Sequence, residues 1–300
     1  MLRSTLDALK QLEPRDFRVL SAVERGMSKF EYVPVEEVAR LSGLEADEVL
    51  AIARKLNSLG LLQRRVGSYT GYILTSRGYD CLALNTLVKR GVLKSIAASP
   101  IGRGKESDVY QGETPAGKLV AVKFHRVGRT SFRQTRRYRS YVGERHHISW
   151  LYQSRLAARN EFEALRILYA ARVSVPEPVD WNRHVVVSGY VEGVELSEAP
   201  PLPDPSSFLE ELLVEVGKAY AAGVVHADLS EFNVLVAQSR PVIFDWPQWV
   251  SSSHPSSLFY VKRDVENLLK FFRRKYGVVY DVEEAIRRVI GGGVQKDPRA

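Results

Sequence analysis

The stretch His226-Ala-Asp-Leu-Ser-Glu-Phe-Asn233, together with the later Asp245, decides how this chain is interpreted. The segments 233–236 and 241–244 are short and apolar, and they predict two strands joined as a hairpin. Such a hairpin places Asn233 and Asp245 side by side at one end. A single carboxylate is usually a loop or capping residue, but three polar side chains at this spacing rarely arise by chance.

The pattern H-x-D-x-x-x-x-N, followed by an aspartate at a strand end, has the form of a kinase catalytic loop. In that arrangement Asp228 orients and deprotonates the attacking hydroxyl. Asn233 and Asp245 hold the metal ions beside the nucleotide phosphates. We therefore predict a site for phosphoryl transfer or ATP hydrolysis.

A glycine-containing loop precedes this motif at Gly102-Arg-Gly104-Lys105-Glu106-Ser107, between two apolar strands. Glycine lets the backbone approach phosphate oxygens closely, and Ser107 adds a hydroxyl, so we predict that both glycines, Lys105, Glu106 and Ser107 bind nucleotide. The loop does not fit a Walker A motif, because Glu106 stands where Ser or Thr is required. A dinucleotide fold is disfavoured, because a strand rather than a helix follows the glycines.

Lys123 ends an apolar strand downstream of the loop. A lysine at a buried strand end is costly unless an anion pairs with it, which predicts a phosphate-binding lysine; the alternative is a surface lysine with a buried stem. We expect its ion-pair partner in the helix at 156–171. We predict Glu161 as this partner, because it shares a face with the leucines of that helix. The competing Glu163 lies on a different face.

The segment 185–193 reads as a strand that runs into a turn, where the chain changes from a strand-rich part to a mostly helical part. Its backbone is predicted to hydrogen-bond an adenine edge, through the carbonyl of Gly189 and the amide of Val191. Side-chain identity says little about a contact that the backbone makes.

The first ninety or so residues predict a helix, a helix-turn-helix and then a β-hairpin with arginines near its turn. That order is typical of a winged helix, in which the third helix and the wing usually face nucleic acid. The basic wing favours nucleic-acid contact here. Binding to a protein, or packing on a neighbouring domain, is the alternative.

Charge supports a polyanionic partner, because the net charge is +8 and the isoelectric point is about 9.5. Arginines concentrate in residues 126–145, where Glu144 is the only acid. We predict a mobile basic loop that contacts nucleic acid, with a solvated run of charge as an equal alternative.

Cys81 is the only cysteine, so no intramolecular disulfide forms and a reducing interior is favoured. The N-terminus lacks the apolar region of a secretory signal, and no run approaches the roughly 18 apolar residues of a membrane span. We expect a cytoplasmic protein without a membrane partner.

The chain resembles the Rio family of atypical protein kinases over nearly its whole length, specifically the subfamily with an N-terminal winged helix. The most specific matching segments are 102–110, 154–162, 229–233, 245–248 and 252–255 running into 263–265. The resemblance implies a serine/threonine kinase that depends on ATP and magnesium (or manganese) and often phosphorylates itself. It also implies a role in maturation of the small ribosomal subunit, with precursor rRNA and ribosomal proteins as partners.

On the family pattern Glu161 pairs with Lys123, Asp228 is the catalytic base, and Asn233 and Asp245 are metal ligands. The basic loop after Lys123 is flexible in the family and can carry a self-phosphorylation site. In some members the metal-binding aspartate is thought to accept phosphate, which would make Asp245 a transient nucleophile.

This chain departs from the family and from ordinary kinases at three places. Ala227 stands where the family usually has glycine, and Gly189 where an acidic residue is common. Asp245 is followed by Trp-Pro-Gln rather than Phe-Gly, with no A-P-E segment before the next helix. This lack removes the usual platform for a peptide substrate, and it favours self-directed activity or ATP hydrolysis as a conformational switch.

We therefore predict an α+β protein in which a winged-helix domain (1–90) precedes a bilobal kinase-like domain with an N-lobe (91–192) and a C-lobe (193–300). One alternative is a nucleic-acid-binding regulator that senses nucleotide without turnover, but Lys123, Asp228, Asn233 and Asp245 are all present. Another is a small-molecule kinase of the aminoglycoside phosphotransferase type. The glycine loop and the winged-helix segment argue against it.

Overall fold

The computed structural model describes residues 2–127 and 150–291, and the predicted α+β class, a winged helix followed by a bilobal kinase-like domain, is confirmed. Most of the predicted basic loop lies outside the described residues; of the stretch 126–145, only Arg126 and Val127 are described. None of the described helices has the length and apolar character needed to cross a membrane.

The winged-helix unit contains helices and a small antiparallel sheet. Its elements are α1 (Leu2–Leu9), α2 (Pro14–Gly26), β1 (Val33–Pro34), α3 (Val35–Ser42), α4 (Ala46–Ser58), β2 (Leu62–Val66), β3 (Thr70–Leu74) and α5 (Ser76–Lys89). Local sequence sets several of the helix ends. Gly43 ends α3 in the left-handed conformation at φ 65°, and the Thr75 hydroxyl accepts the Gly78 N–H at the start of α5.

The sheet order in this unit is β1-β3-β2, with β2 and β3 forming the wing. Sequence patterning did not predict α1 or β1. The strand β1 has two residues, which is too short for any periodic signal.

The N-lobe is a five-stranded antiparallel sheet in the order β4-β5-β6-β8-β7, and the described part of the lobe contributes one helix that packs on it. Its elements are β4 (Ser95–Arg103), β5 (Ser107–Glu113), β6 (Leu119–His125), α6 (Trp150–Ala170), β7 (Pro178–Asn182) and β8 (Val185–Gly189). Alternation along β6 directs Val120, Val122 and Phe124 into a core shared with α5. Lys123 and His125 point to the other face, toward α6.

The C-lobe is mainly helical and carries two short sheets. Its elements are β9 (Val194–Glu195), α7 (Pro205–Ala221), β10 (Val224–Val225), β11 (Val234–Ala237), β12 (Arg240–Ile243), β13 (Val250–Ser251), α8 (Ser257–Tyr276) and α9 (Val282–Gly291). The predicted hairpin is β11–β12, with Val234 opposite Ile243. The strand β10 pairs with β13 and leads into the catalytic loop.

The winged-helix unit packs directly on the N-lobe. Leu2, Leu84 and Leu87 share one buried cluster with Tyr110 and Phe124 of the sheet. Burying apolar surface of both units in one cluster favours their association. The predicted boundary at 90–91 falls between α5 and β4, and the one at 192–193 falls between β8 and β9.

Candidate active site

Lys123 joins the two lobes of the kinase-like domain. Its Nζ donates to both carboxylate oxygens of Glu161, at 2.8 and 2.7 Å, and to Asp245 Oδ1 at 2.5 Å. The Lys123 side chain is 12% exposed, so it is not a surface lysine. Burial opposes its charge, but the two carboxylates outweigh burial and hold the pKa of Lys123 above its ordinary value. The competing Glu163 is exposed.

His125 is a second neighbour of Glu161, which sequence reasoning missed. Its Nε2 lies 2.8 Å from Glu161 Oε2, and the imidazole is buried. Burial pushes the pKa of Glu161 upward, but Lys123 and His125 together hold it below its ordinary value. The spacing of Lys123 and His125 could have predicted this contact, because residues i and i+2 of a strand share a face.

The catalytic loop places Asp228 at the exposed edge of the C-lobe, directly after the buried Ala227. Asp264 of α8 holds this loop, accepting the N–H of Ala227 at 2.8 Å and the N–H of Leu229 at 3.1 Å. Arg263 donates to the Ala227 carbonyl. Burial raises the pKa of Asp264 to about 7, although the two backbone donors oppose the rise. The sequence offered 263–265 only as a matching segment, without this role.

Two residues of the site adopt left-handed backbone conformations that are uncommon for non-glycine residues. Ala227 has φ 62° and Asp245 has φ 67°. The first value gives a physical reason why glycine would suit position 227, since glycine adopts this conformation without steric penalty. Backbone strain of this kind concentrates at functional sites.

His226 links the catalytic loop to the strand end that carries Asp245. The centre of its ring lies 4.4 Å from the ring centre of the buried Trp246. Burial lowers the pKa of His226 to about 4, so the imidazole is neutral at physiological pH. A neutral ring protonated at Nε2 donates to the Phe244 carbonyl, which lies 3.1 Å away.

Asn233 and Asp245 lie beside each other, as the predicted hairpin requires. The Phe244 N–H donates to the Asn233 carbonyl at 3.0 Å. The Asn233 side-chain nitrogen donates to the Asp228 carbonyl at 2.8 Å, which turns the amide oxygen away from that carbonyl. The Asp245 side chain is 39% exposed.

The oxygen atoms of Asn233 and Asp245 suit a hard cation. Across the described residues, no group of three or more His, Cys, Asp or Glu side chains could hold a metal by itself. Magnesium usually binds through one or two protein oxygens, with phosphate oxygens and waters completing its octahedron. These residues therefore fit a magnesium ion delivered with a nucleotide.

The glycine loop connects β4 to β5, and the Gly104 N–H closes it by donating to the Ser107 carbonyl at 2.8 Å. Neither Gly102 nor Gly104 has a positive φ, so their small size rather than left-handed freedom is their contribution. Gly102 pairs with Val109, and Val109 pairs with Lys123. This register aligns the loop with Lys123 across neighbouring strands.

Gly189 ends β8 opposite Val120 of β6. Its N–H donates to the Glu177 carbonyl at 2.8 Å. The predicted adenine contacts involve the Gly189 carbonyl and the amide of Val191, which lies in the loop beyond, and they stay a prediction. A Cβ atom at position 189 would lie 3.7 Å from the Glu177 carboxylate, so an acidic group is already adjacent to this position.

The segment between Asp245 and α8 is short. Within residues 246–256 the only strand is the two-residue β13. This agrees with the absence of an A-P-E segment in the sequence.

The prediction that Arg126 belongs to an exposed basic loop is wrong. We expected it in a mobile segment that contacts nucleic acid, but its side chain is 12% exposed. It donates to both oxygens of Asp80, at 2.6 and 2.9 Å. A buried, paired arginine is not available to a polyanion, so the predicted contact can involve only later arginines, which lie outside the described residues.

Comparisons with known proteins identify the family. The RIO domain family matches residues 108–285, and the family described as Rio2, N-terminal matches residues 9–90. The RIO-type serine/threonine-protein kinase Rio2 of Methanocaldococcus jannaschii is 42% identical over 254 residues, covering 83% of this chain and 92% of that protein. Serine/threonine-protein kinase RIO2 of Caenorhabditis elegans is 41% identical over 281 residues, covering 92% of this chain but 52% of that longer protein.

The fold is also similar to a solved structure. The Rio2 kinase–ADP/Mg²⁺–phosphoaspartate complex from Chaetomium thermophilum superimposes with a TM-score of 0.82 at 33% sequence identity, covering 97% of this chain and 89% of that one. The matches extend over both the winged helix and the kinase-like domain. The chain therefore belongs to the RIO family of serine/threonine-protein kinases, within its Rio2 subfamily.

Proposed function

We propose that this kinase uses ATP and magnesium to phosphorylate itself, on serine or on Asp245, and acts in maturation of the small ribosomal subunit. The observation that carries the proposal is Lys123, held between Glu161 and Asp245 in a buried site. A kinase lysine with this pairing binds nucleotide phosphates. The ADP and Mg²⁺ in the similar Chaetomium thermophilum complex support the same choice of cofactors.

The residues of the site have distinct roles in this proposal. Lys123 binds phosphate oxygens, and Glu161 keeps its ammonium oriented. Asn233 and Asp245 hold the magnesium ion, which when bound neutralises charge on the phosphate oxygens. An incoming phosphate competes with Asp245 for Lys123, because both are anions that bind one ammonium group.

Two acceptors are compatible with the site. Asp228 can take the proton of a serine hydroxyl while the oxygen attacks the terminal phosphorus of ATP and ADP leaves. Alternatively, an Asp245 oxygen attacks the same phosphorus, the bond to ADP breaks, and an acyl phosphate forms. Water then hydrolyses that acyl phosphate, so the net reaction is ATP hydrolysis. The phosphoaspartate in the Chaetomium thermophilum complex supports the second route.

The test is incubation of the purified chain with ATP labelled on its terminal phosphate, in magnesium or manganese. We expect wild type to gain label and Asp245→Asn to lose most of it on either route. Asp228→Ala should lose most of the label on serine. Asp7→Asn is the matched control, because Asp7 is exposed on α1. Label on aspartate is released by hydroxylamine, whereas phosphoserine resists it. A wild type that neither gains label nor releases phosphate would contradict the catalytic proposal, and nucleotide binding without turnover would favour the sensing regulator.

The proposal includes precursor rRNA as a partner of the winged helix, at the wing rather than at α4. The α4 helix begins with the acidic Asp47 and Glu48, and its Lys55 pairs with Asp16 at 2.6 Å. The wing is basic and aromatic, with exposed arginines 64 and 65. A cavity of about 190 Å³ there is lined by Glu31, Tyr32, Arg65, Gly67, Ser68 and Tyr69. Aromatic and cationic groups together suit single-stranded RNA.

RNA affinity measured across salt concentrations tests this part. We expect the double variant Arg64→Ala/Arg65→Ala to lose one to two phosphate contacts, which lowers the slope of log affinity against log salt by about 0.7–1.4 for a single strand. Arg54→Ala is the control, since Arg54 is exposed on α4. If Arg54→Ala reduced the salt dependence as much as the wing variant does, or if the affinity did not depend on salt, the wing would not be the RNA-binding surface. Ribosomal proteins of the small-subunit precursor complete the proposed set of partners.

A cytoplasmic location is part of the same proposal. Cys81 is a free thiol in the winged-helix unit, and burial raises its pKa to about 12. A protonated, buried thiol is inert, in keeping with a reducing compartment. Fractionation of cells that express the tagged chain would test this location.

A further inference from the structure

We propose that Asp80, a residue of the winged-helix unit, is a positioning residue for the phosphate-binding loop of the kinase domain (Gly102–Ser107). Asp80 lies in α5 and is 2% exposed. Its carboxylate accepts two hydrogen bonds from the guanidinium of Arg126, at the end of β6. Paired, parallel bonds of this kind fix an arginine in orientation as well as in distance.

The surroundings of this pair reinforce its geometry. His184 Nε2 lies 2.8 Å from Asp80 Oδ1, and burial lowers the pKa of His184 to about 4. The neutral ring protonated at Nε2 therefore donates to Asp80, while Tyr79 stacks on it with ring centres 4.7 Å apart. Arg126 Nε also lies 3.6 Å from Asp108 of β5. One buried cation thus joins carboxylates from the winged-helix unit and from the N-lobe.

Arg126 in turn holds the phosphate-binding loop through its backbone. Its N–H donates to the Glu106 carbonyl at 2.6 Å, one position beyond the pair Ser107–His125. The following Val127 N–H donates to the Ser154 hydroxyl of α6 at 3.1 Å. Residues 102–105 are exposed, so the buried Arg126 anchors a loop that has little packing of its own.

A loop that binds phosphates through backbone groups is sensitive to small displacements, because each N–H must point at an oxygen. Loss of the Asp80 carboxylate frees the Arg126 guanidinium and loosens the β6 end that holds Glu106. The expected result is weaker ATP binding with little change in the chemical step. This inference rests on the proposed ATP site.

The chain offers a matched control in a second ion pair between the same two units. Arg183, in the β7–β8 turn, donates to Glu24 of α2 at 2.9 and 2.6 Å. Its other hydrogen-bond partners in the described chain are Leu82, Thr86 and Asn182. None of these belongs to the phosphate-binding loop, so Glu24→Gln weakens the contact between the units without removing a hydrogen bond of the Asp80–Arg126 pair. Arg183 also lies over the ring of Tyr79.

The experiment compares Asp80→Asn with Glu24→Gln in the full chain, measuring the dissociation constant of magnesium–ATP, the KM and kcat of self-phosphorylation, and the melting temperature. We expect Asp80→Asn to raise the dissociation constant and KM about tenfold, within the range of typical coupling between sites, with kcat within twofold of wild type. Glu24→Gln should lower the melting temperature but keep ATP affinity within twofold. If Asp80→Asn does not fold, Asp80→Glu replaces it, because the charge is kept while the carboxylate moves by one methylene.

Wild-type ATP affinity in a folded Asp80 variant would overturn the inference, and so would equal weakening by Asp80→Asn and Glu24→Gln. The second outcome would mean that contact between the units, rather than this anchor, supports the site. A wild type that binds no ATP would instead overturn the proposed nucleotide site.

Discussion

The ammonium of Lys123 lies 2.5 Å from Asp245 Oδ1, although 122 residues separate them in the chain. Lys123 belongs to the N-lobe sheet and Asp245 to the end of the C-lobe hairpin, so this ion pair crosses the cleft between the lobes. The same lysine is bound by Glu161 of α6. The three residues form the charged centre of the site, in which one ammonium group is shared between two carboxylates.

Glu161→Gln should lower kcat/KM for self-phosphorylation about a hundredfold, the scale seen when one electrostatic partner is removed from an active site. The reason is that Lys123 loses one of its two anionic partners and becomes biased toward Asp245. Glu163→Gln is the matched control, since Glu163 lies on the same helix but is exposed. Similar losses in both variants would indicate a general effect on α6 rather than a role for the ion pair.

Asn233→Ala should raise the magnesium concentration needed for half-maximal activity by about tenfold or more, because one of two protein oxygen ligands is removed. Asn267→Ala provides a comparison, as the Asn267 amide also donates to a catalytic-loop carbonyl, that of Leu229 at 3.2 Å. Measuring the activity of both variants across magnesium concentrations distinguishes a lost ligand from a disturbed loop. If both variants shift the titration equally, Asn233 supports the loop and is not a ligand.

Ala227→Gly should leave the free energy of unfolding unchanged or raise it by up to about 1.5 kcal/mol. Glycine removes a left-handed penalty of about 1–2 kcal/mol but adds backbone entropy to the unfolded chain, worth about 0.5–1 kcal/mol. The same substitution at Ala51, exposed within α4, should destabilise by about 1 kcal/mol. Urea unfolding measures both. Equal destabilisation at the two positions would mean that Ala227 is not strained.

Acid should destabilise the fold through His226. Burial lowers the pKa of His226 to about 4 in the folded chain, whereas its ordinary pKa is 6.5. Between these two pH values the unfolded chain binds a proton that the folded chain does not. Stability is therefore full above pH 6.5 and falls between pH 6.5 and 4, by about 3 kcal/mol for this residue. His226→Gln should flatten the dependence, whereas exposed His254→Gln should not. Unfolding free energies at pH 7, 6 and 5 test this, and an unchanged slope in His226→Gln would contradict it.

Local sequence was sufficient for much of the fold and for the relative placement of several candidate site residues. The β11–β12 hairpin brings Asn233 beside Asp245 because its strands are close in the chain and alternate in a simple pattern. Glu161 was distinguishable from Glu163 because helical spacing separates buried from exposed faces. Such features depend on residues a few positions apart, and local geometry decides them.

Tertiary structure decided several contacts between distant groups that the sequence did not predict. Sequence patterning did not reveal that Asp264 holds the catalytic loop, that His125 contacts Glu161, or that Arg126 is buried against Asp80. Arg126 shows why: its charge and its basic neighbours predicted exposure, but packing of α5 on the N-lobe sheet supplied a buried carboxylate. Periodicity reports which face of an element is buried, whereas the partner of a buried charge depends on which elements pack together.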